Sequence, residues 1–464
     1  MNCYLIIDFG ASRVKSAIAD LDSGEFSSLK SIPSLGNCSR SEYKYEISSF
    51  GLQKQFHNIC SLYYRELGYR LKGIMVCSQM HGFILLDRSD KPISNYISWK
   101  DERSLIKIKG KDSFTILNDE FGNDYKRITG MTLSPGVPFA NIIHLAREGV
   151  LKNHVKIVTL PEWFNICCSK PRGVVHVSMF AGLGFYDIRK GKESKILLDY
   201  FLKISKTKLR FNKLVKEGSV SGLFAGKIPI FVGVGDLQCA VLGAGNRPYK
   251  NISVNIGTGS QVSIIVQDIN KNSDTELRPY FDNYFLKTIT HIPAGRVILE
   301  FLSILNISDN KAIKENDIYF WDILSRITIK DIQQSTLNFD LNTFKSSWEY
   351  NDGGKITNIQ EGSFTPGNYM ASLLRCLASQ YLGAIKVLEK SRKIESIILS
   401  GGIPRKFKQL AVLISNSTKL NVVSSHGLID ETLLGLRSLV LVSAGHILNF
   451  NDAQEYFKNK IIVK

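Results

Sequence analysis

Asp236 stands at the end of an apolar run, Ile228-Pro-Ile-Phe-Val-Gly-Val-Gly235, and just before a small-residue stretch, Cys239-Ala-Val-Leu-Gly-Ala-Gly245. The pattern predicts a buried strand that stops at Gly235 and a helix that follows it. A carboxylate at the C-terminal end of a strand, beside a helix start, is where open α/β sheets meet their ligands. There it could take a proton from a hydroxyl group. The plainer reading is a carboxylate that caps the helix. Asp8 holds a matching position, closing the apolar run Tyr4-Leu-Ile-Ile before Phe9-Gly10-Ala-Ser-Arg-Val-Lys15. A turn of small residues at Gly10 presents backbone N–H groups to phosphate oxygens. Ser12 could add a hydroxyl and Lys15 a cation, and Asp8 could hold Mg²⁺ through water. Taken alone, the same residues make an ordinary surface hairpin.

Two further stretches carry polar groups on loops. Gln79-Met80-His81-Gly82 lies between the apolar runs 73–78 and 83–86. His81 can donate or accept hydrogen bonds at neutral pH, and Met80 offers a polarizable wall. Trp99-Lys-Asp101-Glu-Arg103 combines an aromatic face with an ion pair, which a structural helix start would also contain.

The elements that must position these groups repeat. Asn251-Ile-Ser-Val-Asn-Ile-Gly257-Thr258-Gly259-Ser260-Gln-Val-Ser-Ile-Ile-Val266 copies the strand, glycine turn, strand order of the N-terminus half a chain later. Such a repeat predicts a duplicated α/β architecture with phosphates held between two halves. The division falls in Gly245-Asn-Arg-Pro-Tyr-Lys250, giving domains 1–246 and 247–464. Leu52 to Leu67 has helical periodicity, as does Met370 to Lys390, with Leu373, Leu374, Leu377, Tyr381, Ile385 and Leu388 at core spacing. Val155 to Leu160 reads as a strand before a helix opened by Pro161. Arg278 to Leu286 and Ile292 to Leu302 read as an aromatic strand pair and a following helix. Ile394 to Leu399 reads as a strand running into Gly401-Gly402 and a helix that carries Arg405. Residues 307 to 360 are polar and irregular.

Bulk properties narrow the field. A chain of 464 residues with 44% hydrophobic content can bury a large core. Asp8 interrupts the first apolar run, so no leader pattern forms, and Leu433 to Leu448 is too short and mixed to span a bilayer. Eight cysteines without C-x-x-C spacing suggest reduced thiols in the cytoplasm. The net charge of +17 is spread without a dense basic run, which argues against a nucleic-acid partner and fits a field that attracts an anionic ligand. The eight histidines show no paired metal-ligand spacing.

Together the two hairpins, the Gly401-Gly402 loop and Gly235-Asp-Leu-Gln238 resemble the FGGY carbohydrate kinases, from about Tyr4 to Gly445. The resemblance implies the two-domain actin/Hsp70/hexokinase-like (ribonuclease H-like) α/β fold, with duplicated β-sheet domains and an interdomain cleft. It implies ATP and Mg²⁺ as cofactors and a small-molecule sugar as partner, with no nucleic acid and no membrane; a homodimer is left open. Asp236 becomes the catalytic base, and Asp8 with Asp236 the metal-holding carboxylates. Met80, His81, Trp99 and Asp236 become the sugar contacts. Gly10, Ser12, Lys15, Gly257, Thr258, Gly259, Gly401, Gly402 and Arg405 become the nucleotide contacts. The family's Lys-Asp-Tyr is replaced here by Glu162-Trp163-Phe164, and the segment from His176 to Asp187 lacks its usual acidic residue. The Gly-Asp-Leu-Gln segment and the aromatic strand pair resemble the sedoheptulokinase branch, whereas Gly257 and Gly259 are more usual outside it. The expectation is therefore phosphorylation of a ketose at a primary hydroxyl, first sedoheptulose to sedoheptulose 7-phosphate, with D-xylulose or another pentulose as the alternative. An actin- or chaperone-like ATPase switch has no need of the Gln79–Gly82 loop, and an inactive sugar sensor has no need of Asp8 and Asp236.

Overall fold

The computed structural model describes residues 2–151, 154–168, 170–257, 259–269, 275–303, 324–344, 348–350, 352–389, 394–424 and 429–456. Every residue of β1 (Cys3–Phe9) is buried, as expected of a near-continuous apolar run at the centre of a sheet covered on both faces. β1 pairs antiparallel with β2 (Arg13–Asp20), and β2 with β3 (Phe26–Pro33). The chain crosses through α1 (Ser49–Leu67) to β4 (Leu71–Ser78), which runs parallel to β1. Ser48 starts α1 by accepting from Gly51 N at 3.0 Å, and the chain leaves the helix at Gly68. The buried face of α1, Leu52, Phe56, Ile59 and Tyr63, has the spacing of an amphipathic helix. Phe56 and Phe9 both pack on Phe164 of α2 (Leu160–Ile166), with ring centroids 4.6 and 4.5 Å apart. Full burial of each such ring contributes roughly 1.5–3 kcal/mol, enough to fix the exit of β1 between two helices.

After α3 (Val177–Gly182) the first sheet is completed by β5 (Val220–Phe224), β6 (Ile228–Phe231) and β7 (Val234–Gly235), and α4 (Asp236–Gly243) follows. The single strand expected up to Gly235 is in fact two. Val232 N turns to Ser219 O at 2.7 Å, and Gly233 packs so closely on Pro161 that a Cβ would not fit. The helix also begins at Asp236 itself, three residues earlier than the small-residue stretch suggested.

The second sheet is built from β8 (Asn251–Ile256), β9 (Ser260–Val266), β10 (Glu276–Pro279), β11 (Phe285–Thr290), β12 (Ser396–Ser400) and β13 (Asn421–Ser424). Its order is β10-β11-β9-β8-β12-β13; the first sheet runs β5-β6-β4-β1-β2-β3, with β7 also on β4. Read from the hairpin side, β3-β2-β1-β4-β6 and β11-β9-β8-β12-β13 share three antiparallel strands followed by two parallel ones. The duplication expected from the two hairpins is thus present in the topology. The Pro366–Glu389 helix covers the second sheet with all six of its expected core residues buried.

A helix late in the chain, α5 (Glu431–Ser443), returns from the second half and lies on α4. Leu433, Leu436, Leu439 and Val440 join the first-half core with Cys239, Val241 and Leu242. The helices cross at Gly243 and Gly435, where a Cβ on either would overlap backbone atoms of the other. All eight cysteines are free thiols, and among the described residues no helix is long and apolar enough to cross a membrane. Thr258 and much of 307–360 lie outside the described residues.

Candidate active site

Parallel pairing brings the sequence-predicted groups of the first half to one end of its sheet. Phe9 ends β1 opposite Ser78 of β4, and Cys77 and Ser78 stand opposite Val234 and Gly235 of β7. The Gly10 turn, the Gln79–Gly82 loop and Asp236 therefore leave three neighbouring strands side by side. Gln79 N binds Phe9 O at 3.0 Å and ties the first two together. In the second sheet, Asn255 stands opposite Ser400, so the Gly257 and Gly401 turns also share one end.

Asp236 occupies the first position of α4 behind Gly235, which is the cap residue and has no side chain to serve as one. Its Oδ1 accepts from Leu237 N at 2.8 Å. Asp236 as a residue is neither fully buried nor fully exposed. Burial, followed by the charge of Asp8, pushes its pKa up to about 7. Behind it, Ser178 Oγ accepts from Gly235 N at 3.0 Å and lies 2.7 Å from His176 Nδ1, in a segment without an expected role.

Asp8 is buried and tied to the far end of the chain. Thr432 Oγ1, at the start of α5, lies 2.7 Å from Asp8 Oδ2, and Lys15 Nζ lies 2.5 Å from Asp430 Oδ2 and 3.7 Å from Asp8 Oδ2. Burial raises the Asp8 pKa, Lys15 opposes the rise and Asp430 adds to it. Asp430 is lowered overall: burial would raise it, but Lys15 and Thr432 outweigh that. Lys15→Met should therefore lower the melting temperature most at pH 7–9, where Asp430, held below the usual carboxylate range, is charged. The difference should fade as pH falls below about 4, where carboxylates protonate. Thermal melts from pH 3 to 9 check this; an equal difference at every pH would contradict the pairing.

Acid groups cluster here: Asp8 raises Asp236, and Asp430 raises Asp8. A divalent cation would relieve that repulsion. Among the described residues no three ligand-type side chains stand at metal-binding distance; Asp8 and Asp236 are the carboxylates that would hold Mg²⁺, an ion that commonly keeps several of its waters.

Among the described residues, two buried polar atoms close to Asp236 have no hydrogen-bond partner: Tyr96 Oη, which feels the Asp236 charge, and Gln238 Oε1, two residues along α4. Burial, with Asp236 nearby, pushes the Tyr96 phenol up. Gln238 donates through Nε2 to Pro279 O at 2.9 Å. Met80 is buried, and its sulfur and the Gln238 side chain crowd over Gly235. Orphaned polar atoms of this kind are costly unless a ligand hydroxyl or water meets them. His81 behaves differently from the sequence expectation. Its Nδ1 lies 3.0 Å from Gly182 O and its Nε2 lies 2.6 Å from Arg278 Nη1, so protein groups already use both nitrogens. Trp99 is 44% exposed. Buried Asp101 and Arg103 form a two-pronged pair at 2.7 Å each, and Glu46 accepts from Arg103 at 2.6 Å. The pair braces the loop that presents Trp99.

On the second sheet, Gly257 N binds Gly259 O at 3.0 Å, and Gly295 N binds Gly257 O at 3.1 Å. Gly259 and Gly402 have open space where a Cβ would sit. Gly401 has φ +95° and would meet Ile256 O, so both conformation and room require glycine. Arg405 is bound to Glu431 Oε1 at 2.7 Å and so reaches α5. Asp430, Thr432, Glu276 and Arg278 were not foreseen. Asp430-Glu-Thr432 does carry a helix-start signature, but nothing local to it points to Asp8.

Residues 3–243 match the N-terminal domain of the FGGY family of carbohydrate kinases. The chain belongs to this family and is a sugar kinase of the two-domain actin/hexokinase-like fold. As a kinase of this family it uses ATP and binds a small-molecule sugar. Among solved structures it is similar to a ligand-bound xylulose kinase from Lactobacillus acidophilus, at 17% identity and a TM-score of 0.83 over 98% of this chain and 92% of that one. A gluconate kinase from the same organism has a TM-score of 0.82 at 17% identity, covering 98% and 92%. Plasmodium falciparum glycerol kinase with ADP has a TM-score of 0.79 at 17% identity, covering 99% and 92%. A sequence comparison with curated proteins found no match.

Proposed function

We propose that the protein transfers the γ-phosphoryl group of ATP to a primary hydroxyl of a ketose, with sedoheptulose as first substrate and sedoheptulose 7-phosphate as product. What supports the reading is the place of Asp236, at the end of its strand beside the Gly10 turn and the Gln79–Gly82 loop, with burial and Asp8 raising its pKa to about 7. A base with such a pKa is largely ionised at pH 8 yet basic enough to accept a hydroxyl proton. Asp236 is that base. Tyr96 and Gln238 meet sugar hydroxyls, while Met80 and Trp99 supply apolar walls. The amides of the Gly10 and Gly257 turns, with Ser12, face the phosphates, and the Gly401-Gly402 turn faces the nucleoside. Asp8, with Asp236, would hold hydrated Mg²⁺, which when bound neutralises phosphate charge. Closure of the lobes about 245–250 would exclude water, a competing acceptor.

The cleft favours an uncharged sugar over an aldonate, because its charges are mostly acidic and Arg278 is already paired with Glu276 at 2.6 Å. D-Xylulose remains the second reading, supported by the xylulose kinases among the structural relatives. The free thiols fit a cytoplasmic setting. An ADP-release assay with sedoheptulose, xylulose, ribulose, gluconate and glycerol tests the proposal. The highest kcat/KM is expected with sedoheptulose. No turnover with any sugar, alongside ATP hydrolysis stimulated by a protein fraction, would overturn it.

A further inference from the structure

The second sheet contributes an arginine to the loop beside Asp236. Arg278 lies on β10, the edge strand of that sheet, and is 8% exposed. Its Nε and Nη2 donate to Glu276 Oε2 at 3.1 and 2.6 Å, and Nη1 donates to His81 Nε2 at 2.6 Å. Glu276 is two residues back, on the same strand face, and its Oε1 accepts from Thr132 N at 3.0 Å. The strand is stitched to the first half again at Leu277 N to Gly130 O, 2.8 Å, and by Asp282 N to Glu217 Oε1, 2.9 Å. An ion pair serving stability alone would be complete with Glu276. The bond to His81 is additional, and it ends on the loop that carries Met80.

His81 needs holding. Its φ is +59°, a left-handed conformation that costs a non-glycine residue energy. A guanidinium only donates, so Nε2 must accept and the ring proton sits on Nδ1, directed at Gly182 O. The ring is thereby clamped between α3 of the first half and β10 of the second.

We propose that Arg278 is a positioning residue for the sugar: through His81 it fixes the Gln79–Gly82 loop, so that the second half sets substrate affinity in the first. The inference rests on the sugar-kinase reading of the cleft. The charged and titratable groups facing the ring are Arg278, Glu276 and His291 of the second half. Burial, then Arg278, hold the imidazole down at about 3, so it is neutral throughout the working range.

Steady-state kinetics on Arg278→Met, Arg278→Lys, His81→Gln and the double variant test this, beside ADP binding by calorimetry. Arg278→Met is expected to raise sugar KM roughly 10- to 100-fold, the size of a lost charged hydrogen bond, with ADP affinity unchanged. Its acid limb in kcat/KM should also steepen beyond that of the wild type at mildly acidic pH, as His81 becomes protonatable and adds a second ionisation, and Arg278→Lys should recover part of both losses. Arg278→Met should add nothing to His81→Gln. Unchanged sugar KM and pH profile, or parallel loss of ADP and sugar binding, would overturn the proposal. If Arg278→Met does not fold, nitrogen NMR of the wild-type His81 ring decides: a neutral Nδ1–H ring down to pH 5 supports it, and ordinary titration near 6.5 overturns it. A wild type that phosphorylates no sugar sinks the kinase reading instead, and the ring's NMR signature still judges the Arg278 clamp.

Discussion

Asp236→Asn is expected to lower sugar-dependent turnover roughly 10²–10⁴-fold, the usual contribution of a general base, while ADP still binds. The substitution keeps the shape and the acceptor oxygen for Leu237 N, so the loss isolates proton transfer from packing. Its effect on stability has the opposite sign. The folded pKa of Asp236 lies above its ordinary 3.8, so ionisation in the folded protein is unfavourable. Stability from this group is therefore lost as pH rises towards 7 and is absent above it. Asp236→Asn should melt higher than wild type at pH 8, and the gap should narrow as pH falls below 7 and close below about 3, where the wild-type carboxyl is protonated in both states. A variant both inactive and less stable at pH 8 would indicate a structural role.

Gly435→Ala should give the largest loss of stability. The new Cβ would overlap Cys239 O, a backbone atom that cannot rotate away. The two helices must then separate, and overpacking of this kind costs about 3 kcal/mol. Activity should fall with it, because α5 delivers Asp430 and Thr432 to Lys15 and Asp8. Gly367→Ala, where the same position is open space, is the control and should fall within about 0.5 kcal/mol of wild type or above it. Urea titrations of the two variants decide the matter, and equal midpoints would contradict the close crossing.

What the sequence disclosed was what local chemistry dictates. Apolar runs ending in Asp8 and Gly235, and glycine turns after Phe9 and Ile256, follow from the chain's own pattern. So do the helices over Leu52–Leu67 and Pro366–Glu389. The break after Phe231 was hidden because Gly233 packs there against Pro161, some seventy residues away in the chain. Lys15 looked like a free phosphate ligand, yet Asp430, separated from it by 415 positions, is its partner. His81 looked free to bind a sugar, yet Arg278, 197 positions later, takes its acceptor nitrogen. Each of these depends on which halves meet, and periodicity carries no information about that. Glu162 shows the same limit: in place of a site acid, its Oε2 accepts from Thr159 N and Oγ1 at 2.6 Å and caps α2.

The pH dependence of kcat/KM for the best ketose tests the account most directly, because it reads the ionisation of the free enzyme's base. A fall of one log unit per pH unit below about 7, set by the Asp236 carboxyl and missing from the residual activity of Asp236→Asn, is the expected result. A profile that stays flat from pH 5 to 9 in the wild type, or an acid limb that survives in Asp236→Asn, would contradict it.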